Sequence, residues 1–289
     1  MIEAGLGVLG GSGLYEMEGL EGAEEVRLQT PFGPPSDAFV LGTLDGRKIA
    51  FLSRHGRGHR KSPTEVNYRA NIYAFKLLGV ERIFSVSAVG SLKEEISPLH
   101  VVLPDQFVDW TRSRPLSFFG GGIVAHVSLA DPFCPELRKS LAAKAPELGL
   151  VLHDGGGYLC IEGPQFSTKA ESMIYRSWGL SVIGMTNATE ARLAREAGIC
   201  YATIALVTDY DCWHEEEEPV TVEQIVGRLK TNASAARALI RAAAAALPAG
   251  RSCDCAGAMR NAVITDPGAV DEEAFERLRP ILGTYFRRE

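Results

Sequence analysis

Short apolar runs of strand length recur along the chain, and each stops at small or turn-forming residues. Residues 6–9 are apolar and lead into Gly10-Gly11-Ser12-Gly13, which predicts a buried strand feeding a tight loop. Further apolar or β-branched runs at 80–88, 158–161, 182–185 and 201–208 predict strands as well. Residues 38–44 and 48–53 flank Asp45-Gly46, a dipeptide that accepts the positive φ angles of a hairpin turn, so these two pair antiparallel.

Between the strands the apolar spacing lengthens to a helical period. Ser62-Pro63-Thr64-Glu65 supplies an N-cap, a proline at the first helical position and a glutamate three residues on, predicting a helix over 66–78. Thr168-Lys169-Ala170-Glu171 and Thr221-Val222-Glu223-Gln224 repeat the pattern, predicting helices that run to about Trp178 and Leu247. The alternation predicts an α/β fold, a single domain over residues 1–289 with a mixed, largely parallel β-sheet and helices on both faces. A tail from about 250 to 289 carries a Cys-x-Cys and a final helix.

Composition narrows the function. A chain of 289 residues, 46% hydrophobic and 23% charged, buries one large core. No apolar run reaches the roughly 18 residues of a membrane span, and the N-terminus does not read as a signal sequence, so a cytoplasmic protein with no membrane partner is expected. A formal charge of −6 argues against a general grip on nucleic acid. Of the six cysteines, Cys134, Cys160, Cys200 and Cys212 read as reduced packing residues. Cys253 and Cys255 read as an exposed thiol pair or a redox staple, with too few ligands nearby for zinc.

Candidate chemistry gathers at strand ends. Gly10, Gly11 and Gly13 let the backbone turn amides toward an anion, and the Ser12 hydroxyl adds a donor. Arg54 offers a bidentate fork for phosphate, with the His55 imidazole donating beside it. Ser87 and Ala88, followed by Gly90, offer a hydroxyl and amides in the same way. Thr208-Asp209-Tyr210-Asp211 ends an apolar strand with two carboxylates, whose pKa values such a place raises, suiting an acid to protonate a leaving group. Glu162 and Phe166 present a carboxylate and a ring on which a flat base could stack. Met185 and Thr186 end another strand, where a methionine can lie against a sugar. The acidic run 215–218 reads as a solvated face. Gly5, Gly7 and Gly10 match the dinucleotide fingerprint, but inside the strand instead of after it, and no P-loop lysine follows a glycine; neither nucleotide fold is supported.

In order, Gly10-Gly11-Ser12-Gly13, Arg54-His55-Gly56, Asn67-Tyr68-Arg69-Ala70-Asn71, Gly90-Ser91-Leu92, Ile161-Glu162-Gly163-Pro164 and Thr208-Asp209-Tyr210-Asp211-Cys212-Trp213 resemble the 5′-methylthioadenosine phosphorylases, within the trimeric branch of the purine nucleoside phosphorylases. The resemblance implies a phosphate site from Ser12, Arg54, His55, Ser87, Ala88 and Thr186. It also implies Met185 against the ribose, Phe166 on the purine, and Asp209 and Asp211 on the base around N7 and the 6-amino group. His126 from a neighbouring subunit would approach the 5′ substituent, and Val222 and Ile225 would line the methylthio pocket. Inorganic phosphate is then a co-substrate, no metal or organic cofactor is required, and a homotrimer or dimer of trimers follows. Where many relatives run to a Pro-Glu pair after the Met-Thr, this chain has Asn187-Ala188-Thr189-Glu190, which would reshape the sugar-side wall. Competing readings are a methylthioinosine or inosine/guanosine phosphorylase, a hydrolytic nucleosidase, and a non-catalytic nucleoside-binding protein.

Overall fold

A computed structural model describes residues 4–214, 222–283 and 285–286, without the side chains of 222–226. The first half of the chain folds as β1 (Leu6–Gly10), β2 (Glu21–Val26), β3 (Phe39–Leu44), β4 (Arg47–Ser53), α1 (Tyr68–Leu77), β5 (Arg82–Ser91), β6 (Val101–Leu103) and β7 (Gln106–Trp110). There follow α2 (Pro135–Lys144), β8 (Leu152–Asp154), β9 (Gly157–Ile161), α3 (Lys169–Ser177), β10 (Val182–Gly184), α4 (Asn187–Glu196), β11 (Cys200–Asp209), α5 (Val222–Ala246) and α6 (Glu272–Leu282).

The eleven strands form one mixed sheet with the path β2-β3-β4-β1-β5-β10-β9-β7, while β11 branches off β5 toward β6 and β8. Its central pairs, β1 with β4, β1 with β5 and β5 with β11, are parallel. The expected hairpin is the antiparallel β3–β4 pair, turned by Asp45 and Gly46 at φ 48° and 80°. β5 and β11 are the longest strands, and β5 outruns β1, so that Gly90 meets Ile183 of β10 on one side and Asp209 of β11 on the other.

Alternation of side chains sorts the core onto both faces of the sheet. Leu9 of β1, Leu52 of β4, Ile83 of β5 and Tyr201 of β11 pack with α1, α4 and α6. Their neighbours Val8, Phe51, Phe84 and Ala202 pack with α2 and α5. The expected α/β layering with helices on both faces is the observed one.

Two helix starts differ in instructive ways. At Thr168 the capping box forms in full, with α3 beginning one residue later. At Ser62 only half of the box forms, Glu65 accepting the Ser62 N–H at 2.9 Å while its own N–H goes to the Ser62 carbonyl; residues 63–65 make only a turn, and α1 begins at Tyr68, capped by Asn67. Asn67 binds the Ala70 N–H through its side chain at 3.1 Å, and a better-placed cap sets the start. The Thr221 cap and the acidic run 215–218 lie outside the described residues.

The cysteine reading is corrected. Cys253 and Cys255 are not an exposed pair: Cys255 is buried, Cys253 half-buried, and both lie among the sulfurs of Cys134 and Cys200. The sequence separates these four by up to 121 positions, which spacing rules do not bridge.

Candidate active site

The ends of β1, β4, β5, β10 and β11 open on one cavity of about 650 Å³. Ser12, Arg54, His55, Ser87, Ala88, Met185, Thr186, Asp209 and Asp211 all line it, as does the 56% exposed Phe166. Gly90 is needed where β5 passes Asp209, since a Cβ there would sit 2.9 Å from the Asp209 Oδ1 and 3.1 Å from Ile183.

The phosphate half is built on amides, hydroxyls and a helix start. Thr186 is the N-cap of α4 but makes no side-chain cap bond. Its hydroxyl therefore stays available to the cavity, beside the positive end of the α4 dipole. Ser87 Oγ lies 3.1 Å from the buried Tyr158 hydroxyl, which holds it in place.

Arg54 departs from the expected bidentate fork. It is 1% exposed, and its Nε and Nη2 both donate to the Glu190 carboxylate. Nη2 also donates to Ser85 Oγ at 2.7 Å, and Nη1 to the Val86 carbonyl at 2.8 Å. These bonds engage four of its five N–H groups. Glu190 further accepts from Ser85 Oγ at 2.9 Å and the Tyr201 hydroxyl at 2.8 Å. A guanidinium buried this deeply costs several kcal/mol without a partner, so the carboxylate on the first turn of α4 claims its fork. Burial alone would lower its pKa, but Glu190 raises it, and Arg54 stays cationic.

His55 is also corrected. Its Nδ1 lies 2.8 Å from the Lys61 carbonyl, and because a carbonyl only accepts, Nδ1 carries the proton. Burial, reinforced by the Arg54 charge, pushes its pKa down to about 3. The imidazole is neutral near pH 7, and its Nε2 is an acceptor, not the donor the sequence suggested. The ring stacks on His59 with centroids 4.3 Å apart.

At the other end, Asp209 is 9% exposed. Its Oδ2 accepts from Thr208 Oγ1 at 2.6 Å and its Oδ1 from the Asp211 N–H at 2.8 Å. Burial raises its pKa in spite of these bonds, and burial raises that of Asp211 too. A register shift in β11 between Val207 and Asp209 sets the strand end, as bulges beside active sites commonly do. Asp211 itself takes a left-handed backbone at φ 54°.

The sequence model of the phosphorylase superfamily matches residues 6–245. An S-methyl-5′-thioadenosine phosphorylase of Koribacter versatilis (strain Ellin345) is 58% identical over 285 residues, covering 99% of this chain and 98% of that relative. The chain belongs to the phosphorylase superfamily, in its 5′-methylthioadenosine phosphorylase branch. A crystal structure of a methylthioadenosine phosphorylase from an antarctic soil metagenomic library superposes with a TM-score of 0.93 at 48% identity, covering 98% of this chain and all of that one. A Schistosoma mansoni methylthioadenosine phosphorylase in complex with adenine gives 0.84 at 35% identity, covering 89% of this chain and 96% of that one.

Against this family frame, His126, expected from a neighbouring subunit, does not line its own chain's cavity. His126 is exposed and lines a separate depression of about 280 Å³ with Ser117, Arg192 and Glu196. The side chains of Val222 and Ile225 lie outside the described residues. Residues 187–190 do not shape a sugar wall: they are the buried first turn of α4, where Asn187 donates to Thr203 Oγ1 and Glu190 pairs with Arg54. Glu162 is likewise structural. Burial would raise its pKa, but the Arg112 N–H, the Thr64 hydroxyl and the Ser113 N–H hold it down to about 2. The sequence reading missed Tyr15, His59 and Arg60 on the cavity wall, and Glu190 behind it. For Glu190 the signal was its place four residues past Thr186, on the same helix.

Proposed function

We propose that this chain cleaves the N-glycosidic bond of 5′-methylthioadenosine with inorganic phosphate, releasing adenine and 5-methylthioribose 1-phosphate. The observation that carries this reading is the shared cavity, with anion donors at one set of strand ends and a buried pair of aspartates at another.

Glycosidic cleavage builds positive charge on the ribose and negative charge on the departing purine. Phosphate held by Ser12, Ser87, Ala88 and Thr186 puts negative charge beside the anomeric carbon and then bonds to it. Arg54 adds its fixed positive field at the cavity wall, positioned by Glu190. His55 Nε2 accepts a hydrogen bond from the P–O–H that phosphate still carries near neutral pH, turning the nucleophilic oxygens outward. Met185 lies against the ribose and Phe166 against the base. Asp209, whose pKa burial raises, is the acid that donates to N7 of the leaving purine, while Asp211 accepts from the 6-amino group.

Asp211 as an acceptor favours adenine, because a carboxylate is repelled by a 6-oxo group. The chemistry calls for phosphate as co-substrate and for no metal or organic cofactor. The protein acts on small molecules in the cytoplasm, with neither nucleic acid nor membrane as partner. It assembles as a homotrimer or dimer of trimers, in which His126 of each chain reaches its neighbour's 5′ pocket and Val222 and Ile225 line that pocket. Initial rates on 5′-methylthioadenosine, 5′-methylthioinosine and adenosine test the base assignment: the first is expected to be fastest, and faster cleavage of methylthioinosine would overturn it.

A further inference from the structure

Far from the cavity, four cysteines that the reaction does not use converge. The sulfurs of Cys134, Cys200, Cys253 and Cys255 all lie within 4.8 Å of one another. Cys253 Sγ is 3.6 Å from that of Cys134 and 3.3 Å from that of Cys200. Four thiolates around one zinc ion, with Zn–S bonds of about 2.3 Å, have sulfurs about 3.8 Å apart. Among the described residues this is the group of His, Cys, Asp and Glu side chains arranged to hold a metal.

The surroundings suit the anion such a centre would be. Cys134 is the N-cap of α2, where the helix dipole favours a thiolate. Arg195 Nη1 donates to Cys255 Sγ at 3.8 Å, and the Arg251 guanidinium lies beside Cys200 and Cys253. Four thiolates and a divalent ion sum to −2, which two guanidiniums and a helix start offset. Cys134 and Cys200 are 1% exposed and Cys255 is 5%, so water has little access.

We propose that Cys134, Cys200, Cys253 and Cys255 bind one Zn²⁺ ion per chain in a closed tetrahedral site that clamps the C-terminal tail to the start of β11 and to α2. Binding replaces the four thiol protons with the metal and leaves no ligand position for substrate, so its role is structural. Cys200 and Asp209 are the two ends of β11, about 30 Å apart at strand rise, which keeps the metal out of the reaction.

The test is elemental analysis of the full-length protein, purified without chelator from zinc-supplemented medium, with thiols titrated before and after a mercurial. One zinc per chain, released in step with thiol modification, is expected. Growth with Co²⁺ should give the intense visible bands of a tetrahedral thiolate site. The double variant Cys253→Ser/Cys255→Ser should lose the metal, melt roughly 5–10 °C lower, and keep its kcat within about twofold at a temperature where it is folded. Protein without stoichiometric zinc overturns the proposal, whether its cysteines then titrate as free thiols or as disulfides. A metal-bound protein whose double variant retains the zinc overturns the ligand assignment.

Discussion

Asp209 combines three properties in one side chain: it is buried, it ends the longest parallel pairing of the sheet, and it faces the same space as the anion donors. As the acid, it is expected to account for roughly 10²–10⁴-fold of the rate. Steady-state kinetics of Asp209→Asn should show kcat falling by that factor with KM for phosphate changed less than about threefold; a near-normal kcat would remove it from the acid role. His55 predicts a pH dependence of stability. Its folded pKa of about 3 lies below the ordinary 6.5, so the folded state binds fewer protons than the unfolded one. The stability tied to neutral His55 is complete above 6.5 and is lost as pH falls toward about 3. Urea melts of the wild type and His55→Asn between pH 7 and 4 should show the wild type losing stability more steeply, and parallel slopes would contradict this. That His55 sits at a strand end could be read from the sequence. That it accepts instead of donating could not, because the Lys61 carbonyl fixing its tautomer is set by the turn that follows.

Helix α4 joins both halves of the phosphate site: its N-cap Thr186 opens on the cavity, and Glu190, one turn on, holds Arg54 at the end of β4. Breaking a buried pair by removing one charge costs roughly 3–5 kcal/mol. Glu190→Gln should lower stability by about that amount in chemical denaturation and raise KM for phosphate more than it lowers kcat; a loss under 1 kcal/mol would show that Arg54 finds another partner. Elements with a period were legible in advance: the strands of the central sheet, the Asp45-Gly46 hairpin and the capped α3. Elements without one were not. β2 reads EGAEEV and is largely exposed along its length, so no apolar alternation marks it, and only pairing with β3 makes it a strand. The Arg54–Glu190 pair spans 136 positions, and nothing local in either segment names the other.

For the whole molecule, the parallel core brings loops from far apart in sequence to one end of the sheet, and the site exists because of that convergence. The cavity residues come from seven separate segments, which explains why motif reading found most of them singly yet left the wall behind them, and the cysteine quartet at the opposite end of β11, unread. The account stands on one claim, that this convergence holds inorganic phosphate beneath a nucleoside. Release of adenine from 5′-methylthioadenosine, followed by chromatography in phosphate-free buffer and again with phosphate added, tests it most directly. Adenine appearing only with phosphate, in equal amount with 5-methylthioribose 1-phosphate, is the predicted result. Equal release in both buffers with free 5-methylthioribose as product, or no release in either, would contradict it.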